Sequence, residues 1–420
     1  MTKQSSRLGN LIKKYCPNGV KFKELYKLTI WDKRFDGVEK EKQPNVRSFK
    51  HISAAELKSL YIKGSCNVQN NVRLLSTGQF DGYTAQELVG DNLNNDEVIA
   101  IPSGGSANLK YCKGKFVDSG NILAVARDEN VRLKYVYYFL LDKNRLIESY
   151  FRGSGLKHPS MREILEIKIP VPAIEVQEEI VRILDTFTQL ESELESELEL
   201  RTKQYEYYRN SLLSFESDKT RQVKWAILGE IGKVSMCKRI MKNQTSSVGD
   251  IPFYKIGTFG KKADAYIKKE VYEEYKNKYS FPKLGDILLS ASGTIGRRVI
   301  YDGKPAYFQD SNIVWIDNDE SKIMNKFLYY LYETITWQTE GGTIKRLYNA
   351  NVEKTKIPIP PMSEQKRIVG VLDRFDSLVN DISVGLPAEL SARRKQYEYY
   401  RNKLLAFKEV DCREAANRLL

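Results

Sequence analysis

Thirteen residues occur almost unchanged at two places in the chain. Lys203-Gln-Tyr-Glu-Tyr-Tyr-Arg-Asn-Ser-Leu-Leu-Ser-Phe215 returns as Lys395-Gln-Tyr-Glu-Tyr-Tyr-Arg-Asn-Lys-Leu-Leu-Ala-Phe407, with 11 of 13 residues identical. A second echo precedes each copy. Ile169-Pro-Val-Pro, Gln177, Ile180-Val181 and Leu184-Asp185-Thr-Phe187 are answered by Ile357-Pro-Ile-Pro, Gln365, Ile368-Val369 and Leu372-Asp373-Arg-Phe375. A repeat of this length restricts the architecture before any local reading begins. The chain is a tandem duplication with an offset of about 190 residues, and helical segments close each half.

At 420 residues, two cores fit the duplication. No apolar run approaches the ~20 residues of a membrane span, and Met1-Thr-Lys-Gln-Ser-Ser-Arg lacks the apolar segment of a secretory signal. Five cysteines lie singly, with no Cys-x-x-Cys pair, and the only histidines are His51 and His158. That usage argues against a zinc site or a disulfide framework and suits a reducing cytoplasm. The formal charge is +13. Residues Glu175 to Leu200 carry nine acids and one base, which leaves +21 on the rest of the chain. Such an excess points to a polyanionic partner.

Residues 1–19 form an N-terminal helical segment ended by Cys16-Pro17-Asn18-Gly19. Val20 to Leu25 and Val223 to Leu228 open two α+β domains of one kind, spanning 20–170 and 217–357. In the first, Glu97–Ile101 and Asn121–Val125 are strands and Lys134–Leu146 is a buried helix. In the second, Asp286–Ser290 and Asn312–Ile316 are strands and Lys326–Trp337 is the helix. Helical regions follow at 171–216 and 358–408, with a tail at 409–420.

In the first region, positions 180, 184, 187, 191, 194, 198, 201, 205, 208, 212 and 215 keep a coiled-coil spacing, and nine of the eleven are apolar or aromatic. Ile368, Leu372, Phe375, Val379 and Ile382 start the same seam in the second region. There Gly385-Leu-Pro387 predicts a break. The fold expected is therefore two similar α/β domains joined by two long helices in an antiparallel coiled coil. Pro170/Pro172 and Pro358/Pro360/Pro361 predict stiff extended hinges before the helices.

The search for catalysis returns absences. There is no phosphate loop, no dinucleotide fingerprint and no Asn-Pro-Pro-aromatic tetrapeptide. The acidic run 191–199 reads as a solvated helix face. The chain reads as a binder that performs no reaction, with no cofactor and no metal of its own.

Candidates for double-stranded DNA lie in two loop pairs that recur in both halves. The first pair holds Ser103, Asn108 and Lys110, answered by Ser292, Thr294, Arg297 and Arg298. The second holds Lys157 and His158, answered by Thr343, Lys345 and Arg346. Small and hydroxyl residues let backbone approach phosphates, while Lys and Arg neutralise them or read guanine edges. Taken alone, each loop is an ordinary glycine turn. Their recurrence at matching places is what points to nucleic acid.

The arrangement resembles the specificity subunit of type I restriction-modification systems. Ile357-Pro-Ile-Pro-Pro361, Glu364-Gln365, Ile368-Val369 and Leu372-Asp373 carry that family's helical pattern, and Gly342-Thr-Ile-Lys-Arg-Leu347 matches the run before it. The first half departs at Ala173 and Val176, and His158-Pro159 departs from the run. The resemblance implies two target-recognition domains that choose the DNA sequence and are themselves non-catalytic. It implies two methyltransferase subunits with S-adenosylmethionine and restriction subunits with ATP and Mg. It also implies that the helices dock partners, with Gln177, Tyr205, Tyr208, Arg209, Gln365, Tyr397, Tyr400 and Arg401 as candidate docking residues. A helix of ~40 residues is ~60 Å long and can serve as a ruler between the domains. The other reading is a scaffold that holds two partners and touches DNA only incidentally.

Overall fold

The computed structural model describes residues 2–61, 71–215, 223–342 and 345–410. Two compact units emerge, one made of the described parts of Met1–Glu193 and Leu390–Leu420, the other of Leu194–Glu389. The division cuts through both helical regions. Each unit takes the start of one helical copy and the end of the other.

In the first unit, a six-stranded sheet runs in the order Thr29–Trp31, Asn121–Ala126, Asn94–Pro102, Lys110–Asp118, Asn71–Leu75 and Asp81–Ala85. The second unit repeats the first four places with Gly232–Ser235, Ile313–Asn318, Ile287–Ser290 and Arg298–Ile300. It then adds a separate four-stranded sheet. An apolar helix covers each sheet, Leu133–Asp142 in one unit and Asn325–Thr334 in the other. Both are shorter than their predicted runs, because Lys143 breaks the first and residues 335–339 leave helical geometry in the second.

The Ile-Pro-x-Pro segments are not hinges. Lys168–Val171 pairs antiparallel with Lys21–Glu24, and Lys356–Ile359 pairs in the same way with Lys224–Ile227. Each makes a two-stranded ladder, where a proline's missing donor faces an edge.

A single helix, Ile174–Leu213, spans 40 residues. Ile180 and Leu184 at its start are fully buried with Leu405, while Tyr205, Leu213 and Phe215 are buried in the second unit with Ile368 and Leu372. At ~1.5–3 kcal/mol per large apolar side chain, these seam residues hold helix to domain. In the first unit Phe187 stacks on Tyr400 at 5.5 Å and Glu191 pairs with Arg394 at 2.6 Å, so the two segments there run antiparallel.

The second copy breaks as expected, into Met362–Asn380 and Leu386–Leu405. Asp381 turns its carboxylate back to accept from the backbone N–H of Ser383 and Val384. A Cβ on Gly385 would lie 2.5–2.7 Å from the carbonyl oxygens of Ser377, Leu378 and Asp381, so only glycine fits there. The seam spacing stops at this break, and Ile382 is exposed.

A buried glutamine fastens each domain to its helix. Gln177 Oε1 accepts from Arg132 N–H at 2.9 Å, and its Nε2 donates to the carbonyls of Pro172 and Asn130. Gln365 repeats the pattern with Met324 N–H, Pro360 and Lys322. Beside each, a tyrosine hydroxyl donates to a helix aspartate, Tyr138 to Asp185 and Tyr330 to Asp373. Lys134 and Lys326 bind the same two aspartates.

Replacing Gln365 or Gln177 by Leu strands one buried carbonyl and, half-buried beside it, one N–H and a second carbonyl. At ~1–3 kcal/mol for an unsatisfied buried group, urea unfolding of either variant is expected to show about 2–4 kcal/mol of lost stability. Gln189→Leu, at an exposed position, should cost under ~0.5 kcal/mol.

Candidate nucleic-acid interface

In the first unit, strand Asn94–Pro102 runs out into Ser103-Gly-Gly-Ser106. Gly105 N–H donates to the Lys157 carbonyl at 2.8 Å, and His158 Nδ1 donates to the Ser103 carbonyl at 2.7 Å. The two loops that the sequence singled out are thus laced together. Lys157 and His158 stand exposed on this lip, and Ser103 is half-buried beside them. Asn108 is also half-buried, its amide donating to the Gly78 carbonyl at 2.6 Å.

Lys110 departs from expectation. It is only 5% exposed, and its ammonium donates to Ser76 O, Ser76 Oγ and Phe80 O at 2.8–3.1 Å. Burial lowers its pKa from the ordinary lysine value. A lysine so enclosed staples the 76–80 turn and has no reach to a phosphate.

The second unit builds a matching lip. Leu347 N–H donates to the Ala291 carbonyl at 2.8 Å, and Ser292 bridges Arg346 antiparallel. Ser292 Oγ donates to Asn312 Oδ1 at 2.8 Å. Gly296 has a φ of +86°, and a Cβ there would sit 3.0 Å from the Trp337 ring. That glycine lets the loop close over the tryptophan. Thr294 and Lys345 are exposed. Arg297 donates to Phe259 O at 2.9 Å and Arg346 to Ser311 O at 2.9 Å, so both guanidinium groups brace neighbouring loops. Thr343 lies outside the described residues.

Arg298 is a second correction. Its guanidinium pairs with Glu333 at 2.5 Å and lies 4.5 Å from the Tyr329 ring centroid. The other carboxylate oxygen of Glu333 takes Arg209 at 2.6 Å. Two largely buried arginines on one carboxylate form a structural knot, not a DNA-facing pair. Glu333 and Asn312 escaped sequence reading, since each acts on residues far away in the chain and neither belongs to a motif.

Most of the docking candidates also turn inward, although Tyr208 stays 39% exposed. Gln177 and Gln365 are fully buried, and Tyr205 is 4% exposed. Arg209 and Arg401 reach Glu333 and Asp142. Tyr208 stacks on Phe375 at 5.4 Å, as Tyr400 does on Phe187, and Tyr397 lies half-buried against Phe187. These residues hold the chain to itself, because the seam side of a helix is the side that packs.

A model of the type I restriction modification DNA specificity domain matches residues 45–200 and again 222–392. The chain belongs to the family of type I restriction-modification specificity subunits, non-catalytic components of their complexes. A putative type I restriction enzyme specificity subunit of Haemophilus influenzae is 46% identical over 388 residues, 86% of this chain and 99% of that one. The EcoR124I/EcoR124II specificity subunit of Escherichia coli is 33% identical over 302 residues, 67% of this chain and 72% of the relative. The crystal structure of the S subunit from M. genitalium shares the fold, with a TM-score of 0.58 and 17% identity over 92% of this chain and 96% of that one. No helix among the described residues is long and apolar enough to cross a membrane.

Strand Lys110–Asp118 ends, away from the Ser103 loop, at a histidine clasp. His51 Nδ1 lies 2.7 Å from Asp118 Oδ2 and its Nε2 lies 3.6 Å from Asp32, both carboxylates being almost wholly buried. The Asp118 hydrogen bond raises the His51 pKa above its ordinary value, against burial and the nearby Lys33. A raised folded value means the stabilisation is fully present below the unfolded imidazole value of ~6.5 and fades as pH rises through the folded one. The stability gap between wild type and His51→Gln is therefore expected to be largest near pH ~6 and to narrow toward pH ~9. A gap constant over that range in urea titrations would contradict the clasp.

Proposed function

We propose that this chain chooses the DNA sequence for a type I restriction-modification complex by reading an asymmetric, two-part target, one part with each unit. Two methyltransferase subunits dock on it and bring S-adenosylmethionine for adenine-N6 methylation. Restriction subunits bring ATP and Mg, and the chain itself binds no cofactor. The setting is the cytoplasm.

The observation that carries this reading is the recurrence of one built feature on two diverged domains. In each unit a Gly/Ser loop leaving a central strand is hydrogen-bonded to a second glycine-containing segment, and Lys157 and Lys345, at matching positions, stand exposed on the lip. The basic excess outside the acidic helix supports a polyanionic ligand for these lips. Different loop sequences on a common frame suit different base tracts.

Exchanging residues 222–357 for the corresponding domain of a relative is expected to change one part of the methylated motif and leave the other intact. Methylome sequencing of a host that also carries the methyltransferase reads this directly. Change in both parts, or in neither, would count against separable recognition.

Lys157→Ala and Lys345→Ala are expected to weaken binding to all sequences alike. Each should shallow the slope of log K against log salt by about 0.9 per lost phosphate contact. If a variant relaxes one base position at unchanged salt slope, its lysine reads bases instead. A chain with no sequence-dependent footprint beside its partners would be an incidental binder.

A further inference from the structure

Four arginines lie among residues 223–357, and the protein holds three of them by their terminal nitrogens. Arg297 donates to the Phe259 carbonyl, Arg346 to the Ser311 carbonyl and Arg298 to Glu333. Arg239 is different. Its side chain is 67% exposed, Asp310 accepts from its Nε at 2.8 Å, and no described residue holds either terminal nitrogen.

Both ends of this pair are fixed. Cys237 is buried in the aromatic core of the separate sheet, and Ile240 packs against the same core. Between them the Lys238 carbonyl accepts from the Tyr307 hydroxyl at 2.9 Å. Arg239 therefore projects from backbone anchored on either side. Asp310 sits in the turn 309–312. There Gln309 N–H donates to the Tyr254 carbonyl at 2.9 Å, and Gln309 Oε1 accepts from Ile256 N–H at 3.0 Å. Ser311 takes a left-handed φ of +53°, a conformation that a side-chain-bearing residue keeps only where its surroundings enforce it.

This turn belongs to the lip. Ala291 N–H donates to the Asn312 carbonyl at 2.7 Å, Ser292 Oγ to Asn312 Oδ1 at 2.8 Å, and Arg346 to the Ser311 carbonyl at 2.9 Å. The carboxylate that holds Arg239 is thus one residue from the carbonyl that fastens Arg346. The first unit has the same turn. Asp118-Ser-Gly-Asn121 leads into strand Asn121–Ala126 as Asp310-Ser-Asn312 leads into Ile313–Asn318. Its carboxylate holds His51, whose other ring nitrogen faces Asp32 at 3.6 Å. One turn therefore carries a closed clasp in the first unit and an open guanidinium in the second.

Charge decides what this guanidinium takes. An exposed ion pair adds little to folding. A carboxylate 2.8 Å away offsets the arginine's attraction for a phosphate and repels a phosphate brought beside it. The major-groove edge of guanine carries no charge and offers two acceptors, O6 and N7, that an arginine fork matches. Fixing the fork beforehand lowers the entropy lost on contact. Resting on the functional reading above, we infer that Arg239 reads a guanine in the part of the target addressed by the second unit. Asp310 is its positioning residue, holding Nε so that both terminal nitrogens face the base.

The test uses the full chain with its methyltransferase subunit. Methylome sequencing reads the motif, and duplexes carrying that motif are titrated over a salt series. The wild-type motif is expected to hold a G·C pair in the part that changes when residues 222–357 are exchanged. Arg239→Ala and Arg239→Gln are expected to relax selection at that one pair, about 10- to 100-fold. Every other position, the salt slope and the thermal midpoint should stay as in wild type. Arg239→Lys keeps the charge but loses the fork, so it should relax the same pair. Asp310→Asn should weaken selection there too, and steepen the salt slope by leaving the guanidinium unbalanced. Uniform loss across sequences with a slope shallower by about 0.9 would make Arg239 a phosphate contact. That result, an unchanged motif, or a second part without a G·C pair overturns the assignment of Arg239 and leaves the functional reading standing. A wild-type complex that methylates no two-part motif overturns that reading, and the role of Arg239 with it.

Discussion

Everything in each unit depends on how a domain is fixed to a helix that would otherwise be an isolated amphipathic rod. The joint is polar: a buried glutamine amide that accepts from one backbone N–H and donates to two carbonyls, flanked by a tyrosine and a lysine on one partly exposed aspartate. Apolar packing alone would let the helix slide or rotate, since one methyl contact resembles the next. Directional hydrogen bonds in a dry site allow one register, and a half-made set is costly. The Ile-Pro-x-Pro strand arrives at this joint and its ladder sets where the helix begins.

The far end of each helical copy is held by a second joint, and here the units differ. Glu333 binds Arg209 and Arg298 together, which ties the hairpin after the 290–297 loop to the helix. In the other unit, Asp142 faces Arg401 at a looser 3.6 Å and also holds Lys143. The second lip therefore rests on an ionic knot that the first lacks. Losing its carboxylate would leave two half-desolvated guanidinium groups without a partner.

Both lips are backbone constructions. Hydrogen bonds between loops set their shape, and the side chains able to face a ligand are fewer than the motif residues. Lys110 and Arg298 hold the frame, whereas Lys157 and Lys345 remain on the surface. A frame kept by buried polar contacts and a rim left to vary is a sound physical basis for one fold with many specificities.

Repeat, seam and break were legible in the sequence because each is a local regularity. Near-identical segments, a 4,3 spacing and a glycine before a proline act through neighbours three or four residues away. The helix Ile174–Leu213 and the break at 381–385 follow from them. Which face of the repeated motif packs and which stays in water was not legible. Tyr205, Tyr207 and Tyr208 are chemically alike, and only the partner across the seam separates a buried phenol from an exposed one. Likewise Lys110 and Lys157 each follow a Gly/Ser turn, yet one is enclosed by carbonyls 30 and 34 residues back in the chain and the other is not. Sequence determined which segments repeat and how they coil. Tertiary structure decided which of their charges and rings remain free for another molecule, because burial is set by contacts between residues that are distant in the chain.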